Sequence, residues 1–338
     1  MTKKMRRREF LSRTALAGVS AVLAPKAFAG LESGGASAAG ASGLAWGSTS
    51  AVPVRAIGSW TGTEIADVAV AIGTDHGAMA IKAVELVGGI GKFVGKGAKV
   101  ALLPNVQSKN PGTFTKPEIL RAVIRMCKEA GAKEIACLSL LTPAHWAGAG
   151  LDKIVQEEGI GLKIVADDPA NFRMVKVEGG AALADLQIVR DFFDYDLFIN
   201  LPITKDHAGN KFTGTMKNLM GLNSRTHNRA QFHKPNWQTD PEAIAHLDTC
   251  VVDLNLPLKP ALNIVDATEI IRTNGPMGPG ELIKPGKIVA GTDRVAVDAC
   301  CASILGLKAA DIISIRKAAE RKLGEIDPAK VKLREVRV

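Results

Sequence analysis

The sequence has 338 residues, of which 46% are hydrophobic and 23% charged, a composition typical of a folded globular protein. The formal net charge of +9 is concentrated at the start: the first 29 residues hold seven basic side chains and one acidic side chain, which leaves 36 basic against 33 acidic, or +3, for the rest. Proteins that bind nucleic acid present a clustered basic face, so the composition gives no support for a nucleic-acid partner. No later stretch has the about 20 apolar residues that a transmembrane helix needs, so no stable membrane anchor is expected.

Residues 1–29 are predicted to be a twin-arginine signal peptide. A basic segment precedes a short apolar segment that starts at Ala15, and Ala27-Phe28-Ala29 supplies the small-x-small pattern of a cleavage site. The run Arg7-Arg8-Glu9-Phe10-Leu11 matches the twin-arginine pattern, which a receptor reads as an address. The alternative is an ordinary secretory signal that is rich in arginine. We therefore expect the chain to fold in the cytoplasm, to meet the twin-arginine translocase and to work in the periplasm or outside the cell.

Residues 30–52 are predicted to be a linker, since Ser33–Gly43 contains only Ser, Gly and Ala. Residues 53–338 are predicted to form one α/β domain. Its strands are expected at Val68–Ile72, Lys99–Leu103, Glu134–Leu138, Leu162–Ala166, Asp196–Leu201, Leu262–Asp266 and Lys287–Ala290. Its helices are expected at Met79–Val87, from a capping box at Thr115–Glu118 to Gly131, and at Pro241–Leu254, Arg294–Leu305 and Asp311–Gly324. This alternation predicts a mixed, mostly parallel sheet with crossover helices.

Polar residues that directly follow buried strands are the first candidates for a site, because ligands of open α/β sheets bind beyond the carboxyl ends of the strands. Asn105 follows the second predicted strand and could read a ligand through its amide. The densest cluster extends from Asn200 through Lys205-Asp206-His207 to Thr215, Lys217 and Asn218. Lysine in a partly buried cleft can bind a carboxylate or phosphate or act as a base, and histidine can transfer a proton. A mobile basic surface loop is the alternative.

Two aspartates lie in later predicted elements. Asp266 ends a strand and precedes a Gly/Pro-rich loop, and Asp298 lies within a helix that Asp293 could cap. If Asp298 faces the core, its carboxylate needs a partner, for which Lys205 or Lys217 is a candidate. A solvated position is the alternative for each.

Metal chemistry has weaker support in the sequence. Arg225, His227 and His233 follow the dense cluster, but no two histidines form a helical i, i+4 pair with a supporting acid, so anion binding is favoured over metal binding. The five cysteines show no C-x-x-C spacing. Cys127 and Cys137 are expected to be buried apolar side chains, and no disulfide is expected between Cys300 and Cys301.

Four segments within about residues 65–308 resemble the protein family called domain of unknown function 362. They are VALLPNVQSKNPGTFTKPEILRAVIRMCKEAGAKEI, LFINLPITKDHAGNKFTGTMKNLMGL, LNIVDATEIIRTNGPMGPG and IVAGTDRVAVDACCASILGL. They present Lys-x-His, Thr-x-x-x-Lys-Asn-x-x-Gly, Asp and Gly-Pro elements in the order of the family. The resemblance implies one shared site built from Asn105, Lys205, His207, Lys217, Asn218, Asp266 and Asp298.

The chain departs from the family pattern in two ways. Leu103 stands where the family has lysine before Pro-Asn, so no lysine role is implied there. Some members resemble fusions to ferredoxin-type modules, and this chain lacks their clustered cysteines, so an iron–sulfur role is not implied.

Three functions follow as hypotheses. The first is an enzyme acting on a small carboxylate or phosphate, with Lys205, His207, Lys217, Asp266 and Asp298 as catalytic residues. Its ligand-binding residues would be Asn105, Asn200, Thr215, Asn218 and Arg225. The second is a redox or metal-associated protein loaded before export, and the third is a periplasmic binding module without chemistry. The sequence identifies no cofactor and no metal ligands, and the expected partner is a small-molecule ligand.

Overall fold

The computed structural model describes residues 65–338, so the predicted signal peptide at 1–29 and linker at 30–52 lie outside the described residues. Eight of the twelve described strands form one central sheet and the other four form two small antiparallel pairs. In chain order the strands are β1 Val68–Ile72, β2 Lys99–Pro104, β3 Glu134–Ser139, β4 Gly161–Ile164, β5 Phe172–Lys176, β6 Asp185–Val189, β7 Leu197–Leu201, β8 Leu262–Ala267, β9 Ile270–Ile271, β10 Leu282–Ile283, β11 Lys287–Gly291 and β12 Leu333–Arg337.

The central sheet has the strand order β12-β1-β11-β8-β7-β2-β3-β4. The run from β8 through β7, β2 and β3 to β4 is parallel, while β11 is antiparallel to both β8 and β1, and β12 is parallel to β1. The predicted mixed, mostly parallel sheet is therefore confirmed. Because β2, β7 and β8 are parallel neighbours, the loops that follow them leave the same edge of the sheet.

Nine α-helices are described in residues 65–338, and none of them is long and apolar enough to cross a membrane. They are α1 His76–Leu86, α2 Pro117–Glu129, α3 Pro143–Ala149, α4 Leu151–Glu157, α5 Thr215–Asn218, α6 Arg225–Phe232, α7 Pro241–Leu254, α8 Arg294–Ile304 and α9 Ile313–Glu320. Asp240 and Asp293 cap α7 and α8 by accepting backbone N–H bonds, which satisfies donors that a helix start leaves unpaired. The predicted cap at Asp293 is thereby confirmed.

The helices cover both faces of the sheet. Successive strand residues point to opposite faces, so Ala69 and Ala71 pack with α1 and α2 while Val68 and Val70 pack with α8 and α9. A third apolar cluster joins α7 to the β5–β6 pair. The strands buried on both faces explain the near-continuous apolar runs in the sequence.

Two local predictions are wrong, and one strand was not predicted. The last helix spans Ile313–Glu320 instead of Asp311–Gly324, because residues 309–311 form a separate 3₁₀ turn and Lys322 adopts a left-handed φ of 58°. Thr115 does not cap α2, since its hydroxyl donates to the Leu201 carbonyl (2.6 Å) and accepts from the Asn105 N–H (3.0 Å). Strand β12 was not predicted because its sequence, LREVR, is mostly charged and lies at the sheet edge.

Candidate functional site

Three loops meet at the carboxyl edge of the central strands. They follow β2, β7 and β8, and they are joined through polar contacts to one another. Ser108 Oγ and Asn110 Nδ2 donate to the Met277 carbonyl (2.9 and 2.7 Å), and the Gly275 N–H donates to Asp206 Oδ2 (2.8 Å). A Cβ at position 275 would lie 1.7 Å from the Asp206 carbonyl oxygen, so only glycine permits this approach. The predicted cluster after β7 is therefore enclosed by the other two loops.

Lys205 is completely buried at this junction. Its Nζ donates to Asn105 Oδ1 (3.1 Å) and to the Thr113 carbonyl (2.6 Å), and both acceptors are neutral. Burial without a carboxylate partner disfavours the charged form, and it lowers the pKa of Lys205 to about 7. A lysine in this state can change its charge near neutral pH.

Four asparagine side chains continue from Lys205 across the sheet. Asn105 donates to Asn218 (2.9 Å), Asn218 to Asn200 (2.8 Å), and Asn200 to Asn263 (3.0 Å). Asn263 then donates to the Gly291 carbonyl (3.3 Å). Carbonyl oxygens of Leu103, Thr215 and Gly291 can only accept, so they fix the orientation of the last three amides. Every amide oxygen in this amide chain therefore faces toward Lys205.

Lys217 is the second lysine of the cluster and lies half-buried on α5. Its ammonium lies 3.8 Å from Met220 Sδ, and no oxygen of residues 65–338 accepts a hydrogen bond from it. Burial lowers the pKa of Lys217 to about 8, while the charge of Asp248 acts in the opposite direction. Asp248 is itself buried, accepts from Asn210 Nδ2 (2.8 Å), and has a pKa raised by burial. An ammonium with three donors and no oxygen acceptor is suited to an anion from outside.

The imidazole rings of His207 and His233 lie near Lys217, and the indole of Trp237 contacts both rings. The ring of Trp237 lies 5.5 Å from that of His207 and 5.1 Å from that of His233, measured between centroids. Burial and the charge of Lys217 lower the pKa of His207 well below its ordinary value and that of His233 to about 4. Both rings are therefore neutral at physiological pH.

The hydrogen bond of His207 determines its tautomer. Nδ1 lies 2.7 Å from the Ala208 carbonyl, which can only accept, so Nδ1 carries the proton. A neutral ring has one proton, so Nε2 of His207 is left as an acceptor or base. We call Lys205, His207, Lys217, His233 and Asp248 the basic cluster.

The two predicted aspartates are buried but do not pair with the lysines. Asp266 accepts from the Lys116 N–H (2.9 Å) and from the N–H and hydroxyl of Thr268 (2.9 and 2.7 Å), so it holds the residue that precedes α2 and closes its own loop. Burial raises its pKa. Neither Lys205 nor Lys217 donates to Asp266, because two backbone N–H groups and the Thr268 hydroxyl occupy its carboxylate.

Asp298 follows the same pattern. Its two oxygens accept from the N–H groups of Thr215 (2.6 Å) and Met216 (3.1 Å), and burial raises its pKa to about 7. Gly214 allows the approach, since a Cβ there would lie 2.3 Å from the carboxylate. The lysine partner predicted for Asp298 is wrong, and the carboxylate instead anchors the start of α5.

The remaining predicted ligand residues divide into two groups. Asn105, Asn200 and Asn218 are brought together in the amide chain, and the Thr215 hydroxyl donates to the Arg294 carbonyl (3.1 Å) beneath α5. Arg225 is exposed and donates to the Leu140 carbonyl (3.3 Å), so it is not brought into the basic cluster.

The histidines and cysteines form no metal centre in the part of the chain that the structure describes. Nε2 of His227 lies 3.4 Å from Oδ1 of Asp185, and no group of three or more His, Cys, Asp or Glu in residues 65–338 could hold a metal ion. All five cysteines are free thiols. Cys127 and Cys137 are buried in the apolar core, as predicted.

A family profile for the domain of unknown function DUF362 matches residues 100–303, which contain the amide chain and the basic cluster. The chain belongs to the DUF362 family. The resemblance drawn from the sequence motifs is thereby confirmed, and the site described above lies wholly within the DUF362 region.

One known protein is similar to this DUF362 chain in sequence, and one solved structure is similar to it in fold. The thylakoid-associated protein sll1697 of Synechocystis sp. is 31% identical over 251 residues, which cover 71% of this chain and 72% of that protein. The lactate racemase apoprotein from Thermoanaerobacterium thermosaccharolyticum aligns with a TM-score of 0.41 at 16% identity. That alignment covers 66% of this chain and 53% of the racemase chain, so the DUF362 chain spans about half its length.

Sequence reasoning missed two residues of the DUF362 site. Asp248 lies in the apolar helix α7, where a buried acid in PEAIAHLDTCVVDL is the signal that could have revealed it. Asn263 lies inside strand β8, and an asparagine in a strand buried on both faces requires partners.

A separate open groove beside α9 is lined by Arg316, Glu320 and Lys322 and shares no residue with the basic cluster.

Proposed function

We propose that this protein is an enzyme acting on a small anionic molecule, which binds to Lys217 in the basic cluster. The observation that carries the proposal is the half-buried ammonium of Lys217, which has no oxygen acceptor within the described chain and lies beside two neutral imidazoles. Strongly perturbed titratable groups that gather beyond the ends of parallel strands are characteristic of active sites.

Each member of the basic cluster has a distinct role in this proposal. Lys217 binds the anion, and the charge of Asp248 keeps Lys217 protonated. His207 Nε2 accepts a proton from the substrate, because its ring is neutral and Nδ1 is held by the Ala208 carbonyl. Lys205 supports the anion through its field and gains a proton more readily once the anion is bound.

The first experiment is a thermal-stabilisation screen of small carboxylates and phosphates with the wild-type protein, Lys217→Met and Lys153→Met. Lys153 is exposed on α4 and is the matched control. A stabilising compound should act on the wild type and Lys153→Met but not on Lys217→Met. Equal stabilisation of all three proteins would contradict the role of Lys217.

The next experiment tests whether the protein converts the stabilising compound. Proton NMR in deuterated water follows its conversion and the exchange of its carbon-bound hydrogens, with wild type and His207→Phe compared. Conversion or exchange by the wild type alone supports an enzyme with His207 as base. Tight binding without either change would identify a binding module instead.

We further propose export through the twin-arginine pathway, on the basis of Arg7-Arg8-Glu9-Phe10-Leu11 and the cleavage pattern that ends at Ala29. The test compares wild type, Arg7→Lys/Arg8→Lys and Arg13→Lys in a host with the pathway. Export of the wild type and Arg13→Lys with retention of the double variant is expected. Mature protein that begins at Gly30 would locate the cleavage site, and export of all three would contradict this route.

A further inference from the structure

Helix α5 carries Lys217 and is too short to keep its own orientation, and the inference drawn from it rests on the proposed function. An isolated helix of fewer than about 12 residues is marginally stable in water, and α5 has four residues. Contacts with other elements therefore fix the direction in which α5 presents the Lys217 side chain.

The start of α5 is held by α8. Asp298 accepts from the N–H groups of Thr215 (2.6 Å) and Met216 (3.1 Å), which are donors that a helix start leaves unpaired. One turn earlier on α8, the Arg294 carbonyl accepts from the Thr215 hydroxyl (3.1 Å). Asp298 is only 1% exposed, so water does not replace its carboxylate as the acceptor.

The rest of α5 is also held from outside the helix. Asn255, at the end of α7, donates from Nδ2 to the Met216 carbonyl (3.0 Å). Asn218 Nδ2 donates to the Leu103 carbonyl (3.0 Å) and joins the amide chain. Lys217 is the one polar side chain of α5 without an oxygen partner in the described chain, and the fixed backbone on either side determines where its ammonium lies.

The fixed backbone keeps Lys217 half-buried. Burial lowers the pKa of Lys217 to about 8 from 10.5, against the field of Asp248 on α7, while the neutral imidazoles of His207 and His233 lie nearby. On a loosened α5 the ammonium would reach water, because the lysine stem is flexible and the ammonium is strongly hydrated. The pKa of Lys217 therefore reports whether α5 holds the side chain in place.

We propose that Asp298 is a positioning residue of the anion site, and that with the Thr215 hydroxyl it fixes α5 so that the Lys217 ammonium faces the anion. In this role Asp298 does not bind the anion, and its effect reaches Lys217 through the backbone of α5. Gly214 keeps the carboxylate and α5 in contact, since a Cβ at that position would lie 2.3 Å from Asp298 Oδ1.

Competitive acetylation with acetic anhydride measures the pKa of Lys217 in the ligand-free wild type, Asp298→Asn and Asp253→Asn, at pH values from below 8 to above 10.5. Asparagine at position 298 replaces one acceptor oxygen by a donor, which opposes a backbone N–H. Asp253 is the matched control, because it is also buried and accepts three backbone N–H bonds, from residues 181–183 instead of α5. The pKa of Lys217 should rise toward 10.5 in Asp298→Asn and stay at about 8 in the other two proteins.

The direction of the change separates positioning from charge. Loss of the Asp298 charge alone would lower the pKa of Lys217, because a nearby carboxylate favours the ammonium. A fall, no change, or an equal rise in Asp253→Asn would overturn the proposal. If Asp298→Asn does not fold, Thr215→Val replaces it, because valine keeps the shape and removes the bond to the Arg294 carbonyl. A smaller rise is then expected, and an unchanged pKa of Lys217 in that folded variant would overturn the proposal.

Calorimetric titration with acetate and inorganic phosphate separates this inference from the proposed function. Misplacement of the ammonium should weaken binding by Asp298→Asn at least about tenfold relative to Asp253→Asn. An unchanged pKa of Lys217, with anion binding that Lys217→Met abolishes, would overturn the inference and leave the proposed function in place. A raised pKa, with anion binding that survives in Lys217→Met, would overturn the proposed function and leave Asp298 as the residue that fixes Lys217.

Discussion

Lys205 donates from Nζ to Oδ1 of Asn105 over 3.1 Å, and through this contact a fully buried amine joins a chain of four amides that all donate in one direction. The negative ends of the amide dipoles face the lysine, which favours its charged form and partly offsets burial. The amide chain also connects strands β2, β7, β8 and β11. The charge state of Lys205 therefore depends on how these central strands are held together.

Replacement of Asn218 by leucine should destabilise the protein by about 3 kcal/mol, because Asn105 Nδ2, Asn200 Oδ1 and the Leu103 backbone carbonyl all lose a buried partner. Urea denaturation measures the free energy of unfolding. The control is Asn171→Ala, whose side chain makes one bond to the Ala166 carbonyl at the surface. Similar losses in the two variants would contradict a cooperative amide chain.

The stability contributed by Lys205 should rise with pH. Burial lowers the pKa of the folded-state amine to about 7 from 10.5, so between these values the unfolded chain binds more protons than the folded one. Below about pH 7 both states are protonated, and the penalty of the buried charge is complete.

The measurement for Lys205 compares wild type, Lys205→Met and Lys153→Met by chemical denaturation at about pH 6.5 and about pH 9.5. Relative to Lys205→Met, the wild type should gain on the order of 2–4 kcal/mol at the higher pH. Lys153→Met should keep a constant difference from the wild type. A pH-independent difference for Lys205→Met would show that Lys205 stays charged in the folded protein.

Alanine at Gly275 should disrupt the junction of the loops after β7 and β8, because its Cβ would meet the Asp206 carbonyl at 1.7 Å. A loss of about 3 kcal/mol or more in the free energy of unfolding is expected. Gly91→Ala is the control, since a Cβ at that position meets nothing within 4 Å. Equal stability of the two variants would mean that the junction adapts without cost.

Replacement of Asp248 by asparagine should make Lys217 a better nucleophile. The carboxylate raises the pKa of Lys217, so its removal lowers that pKa and enlarges the neutral amine fraction at pH 7. Acetic anhydride labelling read by mass spectrometry should show faster acetylation of Lys217, with Lys153 in the same sample as the internal reference. An unchanged ratio of the Lys217 and Lys153 acetylation rates would show that Asp248 does not influence Lys217.

The cysteines should resist alkylation in the native protein. Burial raises the pKa of Cys127 and Cys250 to about 12 and that of Cys300 to about 11, and reactive thiolates are therefore scarce at neutral pH. Iodoacetamide at neutral pH should leave all five thiols unmodified until denaturant is added. Rapid native labelling of Cys127 would contradict its place in the core.

The fold and half of the site could be predicted because they depend on local patterns. Helix α7 was predicted with its observed bounds, Pro241–Leu254, since an Asp-Pro start and helical apolar spacing both mark it. Lys205, His207 and Lys217 were placed together because one segment after a buried strand contains them. The parallel order of β2 and β7 then explains why Asn105 joins them.

The partners of the buried carboxylates could not be predicted, because they depend on tertiary packing. A sequence shows that Asp298 lies in an apolar helix, but not that the backbone of Thr215 approaches it through Gly214. The same is true of Asp248, whose proximity to Lys217 arises from the packing of α7 against α5. In both cases the two residues are far apart in the sequence, so the sequence alone does not reveal that they are close in the fold.

Trp237 gives the protein an intrinsic optical reporter of its own site. Its indole lies against both His207 and His233. A protonated imidazole is a stronger quencher of indole fluorescence than a neutral one. Acid titration should therefore dim the emission near the pKa of His233, at about 4, and Trp237→Phe should abolish that step. A ligand that binds beside these imidazoles should change the same emission, so that its binding is measurable without a label.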